Sequence, residues 1–202
     1  MSRVVAGTSF LLIRHAQSQL NAEGRWQGWT DAPLSAEGRC QARALAEALA
    51  REPLAAVVAS PLARALETAR LLAAPHGLTP ELEPDLRELD LGAWGGLTRS
   101  EIAGRWPEAL ARFDSGDPDA RPEGGETRRE LGWRVGRAAA GLARRCAGGR
   151  IAVVTHLGVI AALLPGARLA PAERRLVPAA SLDLAGLART GVAARPADPG
   201  PG

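Results

Sequence analysis

Four apolar runs along the chain predict buried β-strands. They cover residues 9–13, 55–59, 151–155 and 181–187. Their apolar residues are continuous rather than alternating with polar ones, which is typical of strands in a sheet covered on both faces. We therefore predict a central sheet with helices packed on either side.

Helical patterns separate these strands. The pattern of residues 35–50 begins at Ser35, a suitable N-cap, and that of residues 60–74 begins at Ser60 with a proline at the first helical position. A third helix follows Thr127, which forms a capping-box spacing with Glu130, and extends to about residue 145. Strands that alternate with helices predict an α/β fold, a three-layer α/β/α sandwich with a mostly parallel central sheet.

The pattern along the whole chain predicts one domain followed by a short C-terminal tail. The domain covers residues 1–188, and residues from about 92 to 125, rich in Gly, Pro and Trp, are predicted to form loops and short helices over a cleft. Residues 189–202 are predicted to be a flexible C-terminal tail. The N-terminus lacks the pattern of a signal peptide, and residues 151–167, the longest uncharged stretch, are interrupted by His and Pro. We expect a cytoplasmic protein that does not enter a membrane.

Composition limits the classes of partner. The 202 residues are 46% hydrophobic with a net charge of +3, which suits one globular domain. The sequence pI is 9.9, but the arginines are spread among acids with no basic run longer than two. Nucleic acid is therefore not expected, and a small anionic ligand fits this charge at least as well. Cys40 and Cys146 are too few for a disulfide framework and are expected to be buried thiols. The oligomeric state is left open, with a homodimer as one option.

Basic side chains follow three of the predicted strands. Arg14 and His15 come after the first strand, Arg64 lies one turn into the helix after the second, and His156 follows the third. Ligands bind at the carboxyl ends of strands in open α/β sheets, so we expect these residues at one edge. The cluster would repel itself without an anion in its middle, and a phosphate near the helix that carries Arg64 is favoured by the helix dipole. The sequence therefore predicts a phosphoryl site.

The predicted site contains what phosphoryl transfer needs without a metal. Arginine forks match phosphoryl oxygens and supply the charge stabilisation that Mg²⁺ provides in many kinases, so neither metal nor cofactor is expected. A histidine with an unprotonated, aimed nitrogen can attack phosphorus and form a phosphohistidine. Glu88 is a candidate proton donor for the leaving oxygen, with Asp85 and Asp90 as neighbouring alternatives.

Five segments taken together resemble the histidine phosphatase superfamily, which includes the cofactor-dependent phosphoglycerate mutases. They span roughly residues 9–164 and read LLIRHAQSQLNAEGRWQGWTDAPLSAEGRCQARALAEAL, ASPLARALETA, LRELDLGAWGGLT, PEGGET and VVTHLGVI. Each segment alone is a weak signal, but their order is specific. The resemblance implies a metal-free phosphohistidine mechanism on a three-layer α/β/α fold.

The resemblance also implies residue roles. His15 would be the nucleophile, and Glu88 would be the proton donor and later the base that activates water. Phosphoryl binding and stabilisation would fall to Arg14, Arg64 and His156. The phosphate pocket would be lined by Ser18, Asn21, Gln27 and Gly28.

Three positions depart from the family pattern. Ala16 stands where Gly usually follows Arg-His, and we expect it to be tolerated unless this residue needs a positive φ. Leu157 stands where Gly usually follows the second histidine. Its larger side chain would make the substrate pocket narrower or more apolar. The sequence WGG at residues 94–96 lacks the Glu common in a WEG motif.

Three functions compete. The leading one is a phosphatase for a small phosphomonoester, a phosphoric monoester hydrolase of the histidine acid phosphatase type. A phosphoglycerate mutase needs a substantial lid over a bisphosphate intermediate, and residues 92–122 are short for one, so we rank it second. A protein that binds a phosphorylated ligand without turnover is the third, because Ala16 and Leu157 alter the pocket.

Overall fold

Residues 7–192 are described by a computed structural model. Five strands form one sheet in the order β3-β2-β4-β1-β5, in which β5 is antiparallel to β1 and the other pairs are parallel. The strands are β1 (Ser9–Arg14), β2 (Ala56–Ala59), β3 (Glu81–Leu82), β4 (Arg150–Thr155) and β5 (Arg174–Pro178). The predicted sheet, mostly parallel and central, is confirmed.

Eight α-helices connect and cover the strands within the described residues. They are α1 (Gln19–Ala22), α2 (Ala36–Leu49), α3 (Ala63–Ala73), α4 (Arg99–Arg105), α5 (Pro107–Asp114), α6 (Arg128–Arg145), α7 (Leu157–Leu163) and α8 (Leu184–Thr190). Single turns of 3₁₀-helix lie at Ala74–His76, Pro84–Leu86, Gly92–Trp94 and Ala179–Ser181. The loops and short helices predicted for residues 92–125 correspond to α4, α5 and their connections.

The sheet is buried on both faces, as its continuous apolar strands predict. Along β1, Phe10 and Leu12 pack into one core and Leu11 and Ile13 into the other. The first core is closed by the later helices, α4 to α8, and the second by α2 and α3. The three-layer α/β/α sandwich is thus confirmed.

The fourth predicted strand, residues 181–187, is wrong. This stretch is a 3₁₀ turn followed by α8, whose N-terminus is capped by Asp183 accepting a hydrogen bond from the Gly186 N–H at 2.8 Å. Leu184 and Leu187 are three residues apart and both are buried, which is helical spacing. The fifth strand instead forms from residues 174–178, where mostly exposed side chains suit an edge strand.

Three smaller expectations also change. Helix α3 begins at Ala63 rather than at Ser60, because Asp31 accepts the Ala63 N–H at 2.8 Å and Ser60 bonds elsewhere. Both cysteines are free, but Cys40 is exposed rather than buried. Residues 189 and 190 belong to α8, and the remainder of the predicted tail from residue 193 lies outside the described residues.

The order of the strands determines which strand ends lie next to one another. β2, β4 and β1 are neighbours and parallel, so their carboxyl ends lie together at one edge. Among residues 7–192, no helix has the length and apolar character needed to cross a membrane.

Candidate active site

Three neighbouring strands deliver polar residues to one edge of the sheet. Ser60 follows β2, His156 follows β4, and β1 ends in Arg14 followed by His15. The rings of His15 and His156 have centroids 5.1 Å apart. The residues that the strand ends predicted to meet do lie together, and with Arg64 from the first turn of α3 we call Arg14, His15, Arg64 and His156 the strand-end cluster.

His15 is buried, and its ring is held in one tautomer. Its backbone N–H donates to the Thr155 carbonyl at 2.8 Å, and its Nδ1 lies 2.8 Å from the Ala16 carbonyl oxygen. A carbonyl only accepts, so Nδ1 carries the ring proton and Nε2 keeps its lone pair. Burial, reinforced by the charge of Arg64, lowers the pKa of His15 to about 3. The side chain is therefore neutral at physiological pH, with Nε2 free to act as a nucleophile.

His156 is fully buried and is bonded to Ser60. Its Nε2 lies 2.8 Å from the Ser60 hydroxyl oxygen, which leaves Nδ1 as the nitrogen without a partner. Burial and the charge of Arg64 lower the pKa of His156 well below its usual value. His156 is thus a second neutral imidazole with one unused nitrogen.

Arg14 and Arg64 line the cleft without an acidic partner. Nη1 of Arg14 donates to the Leu169 carbonyl at 2.8 Å. Arg64 donates from Nη2 to the Gly28 carbonyl at 2.8 Å and from Nη1 to the Thr30 carbonyl at 3.1 Å. None of the ion pairs within residues 7–192 includes either arginine. Both guanidinium groups are therefore fixed by carbonyls while their charges stay available.

Three buried nitrogens of the strand-end cluster have no hydrogen-bond partner among the described residues. They are Nε of Arg14, Nε of Arg64 and Nδ1 of His156. A buried polar group without a partner costs about 1–3 kcal/mol, and more when it is charged. An anion with several oxygen acceptors, near the start of α3, would accept from both Arg Nε–H groups and, in the tautomer in which Ser60 donates to Nε2, from Nδ1–H of His156. Such an anion would also separate the two positive charges. The cluster is chemically suited to a phosphoryl group.

Glu88 lines the same cleft. Its Oε1 accepts from the Leu89 N–H at 2.8 Å and its Oε2 from the Gly158 N–H at 3.2 Å. The pKa values of Arg14 and Arg64 are lowered by burial and raised in part by the nearby charge of Glu88. A carboxyl group therefore lies within electrostatic reach of both arginines without forming an ion pair with either.

The two alternative carboxylates lie elsewhere. Neither Asp85 nor Asp90 lines the cleft, and Asp90 accepts the Gly92 N–H at 3.0 Å. Of the three carboxylates that the sequence left open, only Glu88 faces the strand-end cluster's cleft.

Arg134 of α6 holds residues 85–90, which we call the Glu88 segment. It is buried and donates to three backbone carbonyls, those of Asp85 at 2.8 Å, Arg87 at 2.7 Å and Glu88 at 2.7 Å. Its Nε and Nη2 also bond the two carboxylate oxygens of Glu126, each at 2.7 Å. Trp29 Nε1 donates to the Glu88 carbonyl at 2.7 Å. The backbone beneath the carboxyl group is thus held by side chains from other parts of the chain.

Of the five pocket residues predicted from the sequence, four line the cleft and one is buried behind it. Asn21, Gln27, Gly28 and Leu157 line the cleft. Ser18 is fully buried behind them and its hydroxyl lies 2.7 Å from Gln27 Oε1. Ser18 therefore orients a lining residue rather than facing the cleft.

Gly28 occupies a position that only glycine fits. Its φ is +53°, and a Cβ here would lie 2.7 Å from the Leu91 backbone nitrogen. The tight turn brings the Gly28 carbonyl onto Arg64, so this glycine helps to orient the arginine.

The three departures from the family pattern are accommodated. Among residues 7–192 the only non-glycine residue with positive φ is Ala172, so Ala16 is unstrained and its carbonyl still holds His15. Leu157 opens α7 and forms cleft wall. A Cβ at Gly95, the middle residue of WGG, would lie 2.5 Å from the Thr30 hydroxyl oxygen, so a glutamate there requires a different local packing.

Two residues that hold parts of the site, Ser60 and Arg134, are not predicted from the sequence pattern. The pattern places Ser60 at a helix N-cap, but Ser60 directly follows β2, and the strand-end rule that indicates His156 indicates Ser60 as well. Arg134 gives no local signal for this contact, because it is one arginine of several on α6 and its partners in the Glu88 segment lie 46 to 49 positions earlier. Its role depends on tertiary contacts alone.

The cleft has a volume of about 750 Å³. In the part of the chain that the structure describes, no group of three or more His, Cys, Asp or Glu side chains is arranged to hold a metal ion.

Known proteins resemble the chain over most of its length. Residues 10–191 match the histidine phosphatase superfamily (branch 1). Phosphoglycerate mutase-like protein 4 of Arabidopsis thaliana is 39% identical over 82% of this chain and 73% of its own length. The metal-independent phosphoserine phosphatase of the same plant is 38% identical over 77% of this chain and 67% of its own length. A solved mycobacterial glucosyl-3-phosphoglycerate phosphatase, in complex with VO3, has a TM-score of 0.77 and 31% identity over 83% of this chain and 90% of its own.

Proposed function

The chain belongs to the histidine phosphatase superfamily, and from this premise we propose that it is a metal-independent phosphomonoesterase that works through a phosphohistidine on His15. Family membership and the names of its relatives support phosphatase activity. The observation that carries the mechanism is the set of unpaired buried nitrogens beside the neutral His15. We further propose a small phosphorylated metabolite as its substrate and the cytoplasm as its compartment.

In the first step the phosphoryl group moves to His15. Nε2 attacks phosphorus with its lone pair, and the bond from phosphorus to the ester oxygen breaks. Glu88, carrying a proton, gives it to the leaving oxygen, so that an alcohol departs. Arg14, Arg64 and Nδ1–H of His156 donate to the three phosphoryl oxygens that hold charge in the transition state.

In the second step water resolves the phosphoenzyme. The Glu88 carboxylate takes a proton from water while the water oxygen attacks phosphorus. The bond from phosphorus to Nε2 breaks, which restores neutral His15 and releases inorganic phosphate. Glu88 ends protonated, as it began, so the net reaction is ester plus water to alcohol plus phosphate.

The test is direct. Purified protein in EDTA, incubated with a ³²P-labelled phosphomonoester and quenched in base, is expected to carry label that is lost in acid, as a phosphohistidine is. His15→Ala should carry none, and His76→Ala, which changes a histidine outside the cleft, should label as the unaltered protein does. Label on the His15 variant would overturn the nucleophile.

The mutase and binding functions give other results in the same preparation. A mutase would convert 3-phosphoglycerate to its isomer faster than it releases phosphate. A non-catalytic binder would bind inorganic phosphate and release none from any ester. We expect phosphate release to dominate, because residues 92–122, the segment that is short for a mutase lid, hold no α-helix longer than α4, of seven residues, and α5, of eight.

A further inference from the structure

The cleft extends beyond the space that one phosphoryl group needs. Its volume of about 750 Å³ falls in the range of roughly 300–1,000 Å³ typical of pockets that bury a whole small molecule. Away from the strand-end cluster its walls are mostly apolar and come from several helices. Six of these side chains are Trp26, Phe113, Leu131, Leu157, Ala161 and Leu187.

The aromatic part of this wall is fixed in place. The Trp26 ring lies 5.7 Å from the Phe113 ring and 6.0 Å from that of Trp94, which is fully buried. Phe113 and Trp94 also meet edge to face at 5.4 Å. Aromatic rings packed in this way present a preformed apolar surface.

The other charges in the cleft are already engaged or exposed. Arg25 bonds Glu101 at 3.0 Å, and the guanidinium carbon of Arg128 lies 3.7 Å from the Phe113 ring centroid. Arg128 also donates to the Phe113 carbonyl at 2.8 Å, and Arg168 is exposed. Arg25 is thus ion-paired and Arg128 is stacked on a ring, and apart from the exposed Arg168 the remaining side chains of this wall are apolar.

We propose that this wall binds a large, mostly apolar organic group esterified to the phosphate, such as a fused or substituted aromatic ring. The inference rests on the proposed function, because the phosphoryl end of that molecule occupies the strand-end cluster. Leu157, in place of the glycine common in the family, adds a branched apolar side chain to the wall and sets the preference.

Substrate pairs with leaving groups of similar acidity test the preference. Phenyl phosphate and 2-naphthyl phosphate differ mainly in apolar area, so kcat/KM is expected to be roughly tenfold higher for the naphthyl ester. Phosphoserine, with a small and charged organic part, should be poorer than both. Equal values for the two aryl esters, or a preference for phosphoserine, would overturn the proposal.

Substitutions of Leu157 test whether the apolar wall causes the preference for the naphthyl ester. Leu157→Ala and Leu157→Gln should remove most of the naphthyl advantage, whereas Leu176→Ala, on exposed β5, should keep it. Titration of phenylphosphonate and 2-naphthylphosphonate, which are not hydrolysed, separates the two proposals. If naphthylphosphonate binds tighter while no ester is hydrolysed, the catalytic function fails and the subsite stands. If the two phosphonates bind equally, the subsite fails whatever the activity.

A second inference comes from Arg134. This buried guanidinium donates to three carbonyls of the Glu88 segment and pairs with Glu126, and Glu126 itself accepts the Asp90 N–H at 3.2 Å. All of these contacts are to backbone or to a supporting carboxylate, and Arg134 does not line the cleft. We propose that Arg134 is a positioning residue that aims the Glu88 carboxyl at the leaving oxygen, which again rests on the proposed function.

The leaving group distinguishes positioning from plain structural support. p-Nitrophenolate leaves without a proton, whereas an alkoxide needs one, so misplacing the acid should harm alkyl esters most. For Arg134→Lys and Arg134→Gln we expect kcat/KM to fall at least tenfold for an alkyl phosphate and less than threefold for p-nitrophenyl phosphate. A loss of equal size on both esters would overturn the role.

Two controls complete this test. Arg137→Gln removes a charge from the same helix at an exposed position and should leave both esters unaffected. In the Glu88→Gln background, adding Arg134→Gln should cost the alkyl ester nothing further, because the group it positions is already gone. An additional tenfold loss there would show that Arg134 acts independently of Glu88.

Discussion

His15 and Glu88 face the same cleft, but the backbone on which each stands is held differently. His15 follows a strand in the middle of the sheet, and its N–H bonds the neighbouring strand at Thr155. Glu88 lies in an irregular segment that Arg134, Trp29 and the hydroxyl of Thr155 hold through side chains, the last bonding the Leu86 carbonyl at 2.8 Å.

The two residues therefore differ in what fixes their positions: the sheet in one case and individual side chains in the other. The position of His15, the proposed nucleophile, follows from the sheet, which many hydrogen bonds and two cores stabilise. The position of Glu88, the proposed acid, depends on a few side chains, any of which one substitution removes. We therefore expect changes in the strand-end cluster to abolish the chemistry and changes around the Glu88 segment to tune it.

The largest effect is expected from His15→Ala. Removal of the only nitrogen proposed to form the phosphoenzyme should lower kcat/KM for p-nitrophenyl phosphate by roughly 10⁴-fold or more. Phosphate release in EDTA measures this. The matched variant His76→Ala should retain the unaltered rate, and a His15 variant with more than a hundredth of it would refute the assignment.

The next effect is expected from Glu88→Gln, which keeps the size of the side chain but cannot donate the carboxyl proton. For alkyl phosphates kcat/KM should fall by about 10²–10³-fold, and for p-nitrophenyl phosphate far less. Asp85→Asn, a neighbouring carboxylate outside the cleft, is the control and should change neither rate. A larger loss for Asp85→Asn than for Glu88→Gln would reassign the acid.

Acid should destabilise the protein through the buried histidines. The pKa of His15 is lowered to about 3 in the folded protein by burial, while the unfolded chain titrates near its ordinary value of 6.5. Below pH 6.5 the unfolded state therefore binds a proton that the folded state does not, so stability falls as pH falls towards 3. Between pH 7.5 and 5.0 this group alone should remove about 2 kcal/mol from the free energy of unfolding.

Urea unfolding of His15→Gln at the two pH values isolates that contribution. The variant lacks the titrating ring, so it should lose about 2 kcal/mol less than the unaltered protein over the same interval. Identical losses would mean that His15 is already protonated, or well solvated, in the folded state.

The smallest effect is expected from Ala16→Gly. The carbonyl that accepts from His15 Nδ1 is backbone and remains, so kcat/KM should stay within about threefold. The free energy of unfolding should fall by about 0.4–1 kcal/mol, because glycine has more freedom in the unfolded chain. Thermal unfolding and p-nitrophenyl phosphate hydrolysis check both, and a large gain in activity would show that the alanine distorts the loop.

The sequence predicted the location of the strand-end cluster because the signals for it are local. A continuous apolar run followed by Arg14-His15, and another followed by His156, specify both the strand and what stands at its carboxyl end. The same reasoning misjudged residues 181–187, which read SLDLAGL and whose three leucines fit a strand or a helix equally. Only packing against α6 and the cap from Asp183 decide that it is a helix.

By itself the sequence determined the layered fold, the edge at which the basic residues gather, and Glu88 as one of three candidate acids. The tertiary structure decided which carboxylate lines the cleft, that Ser60 bonds His156 rather than capping a helix, and that Arg134 holds the backbone of the Glu88 segment. These facts depend on contacts between residues 46 to 96 positions apart. Apolar periodicity reports on burial within one element, whereas such contacts arise only when the elements have packed together.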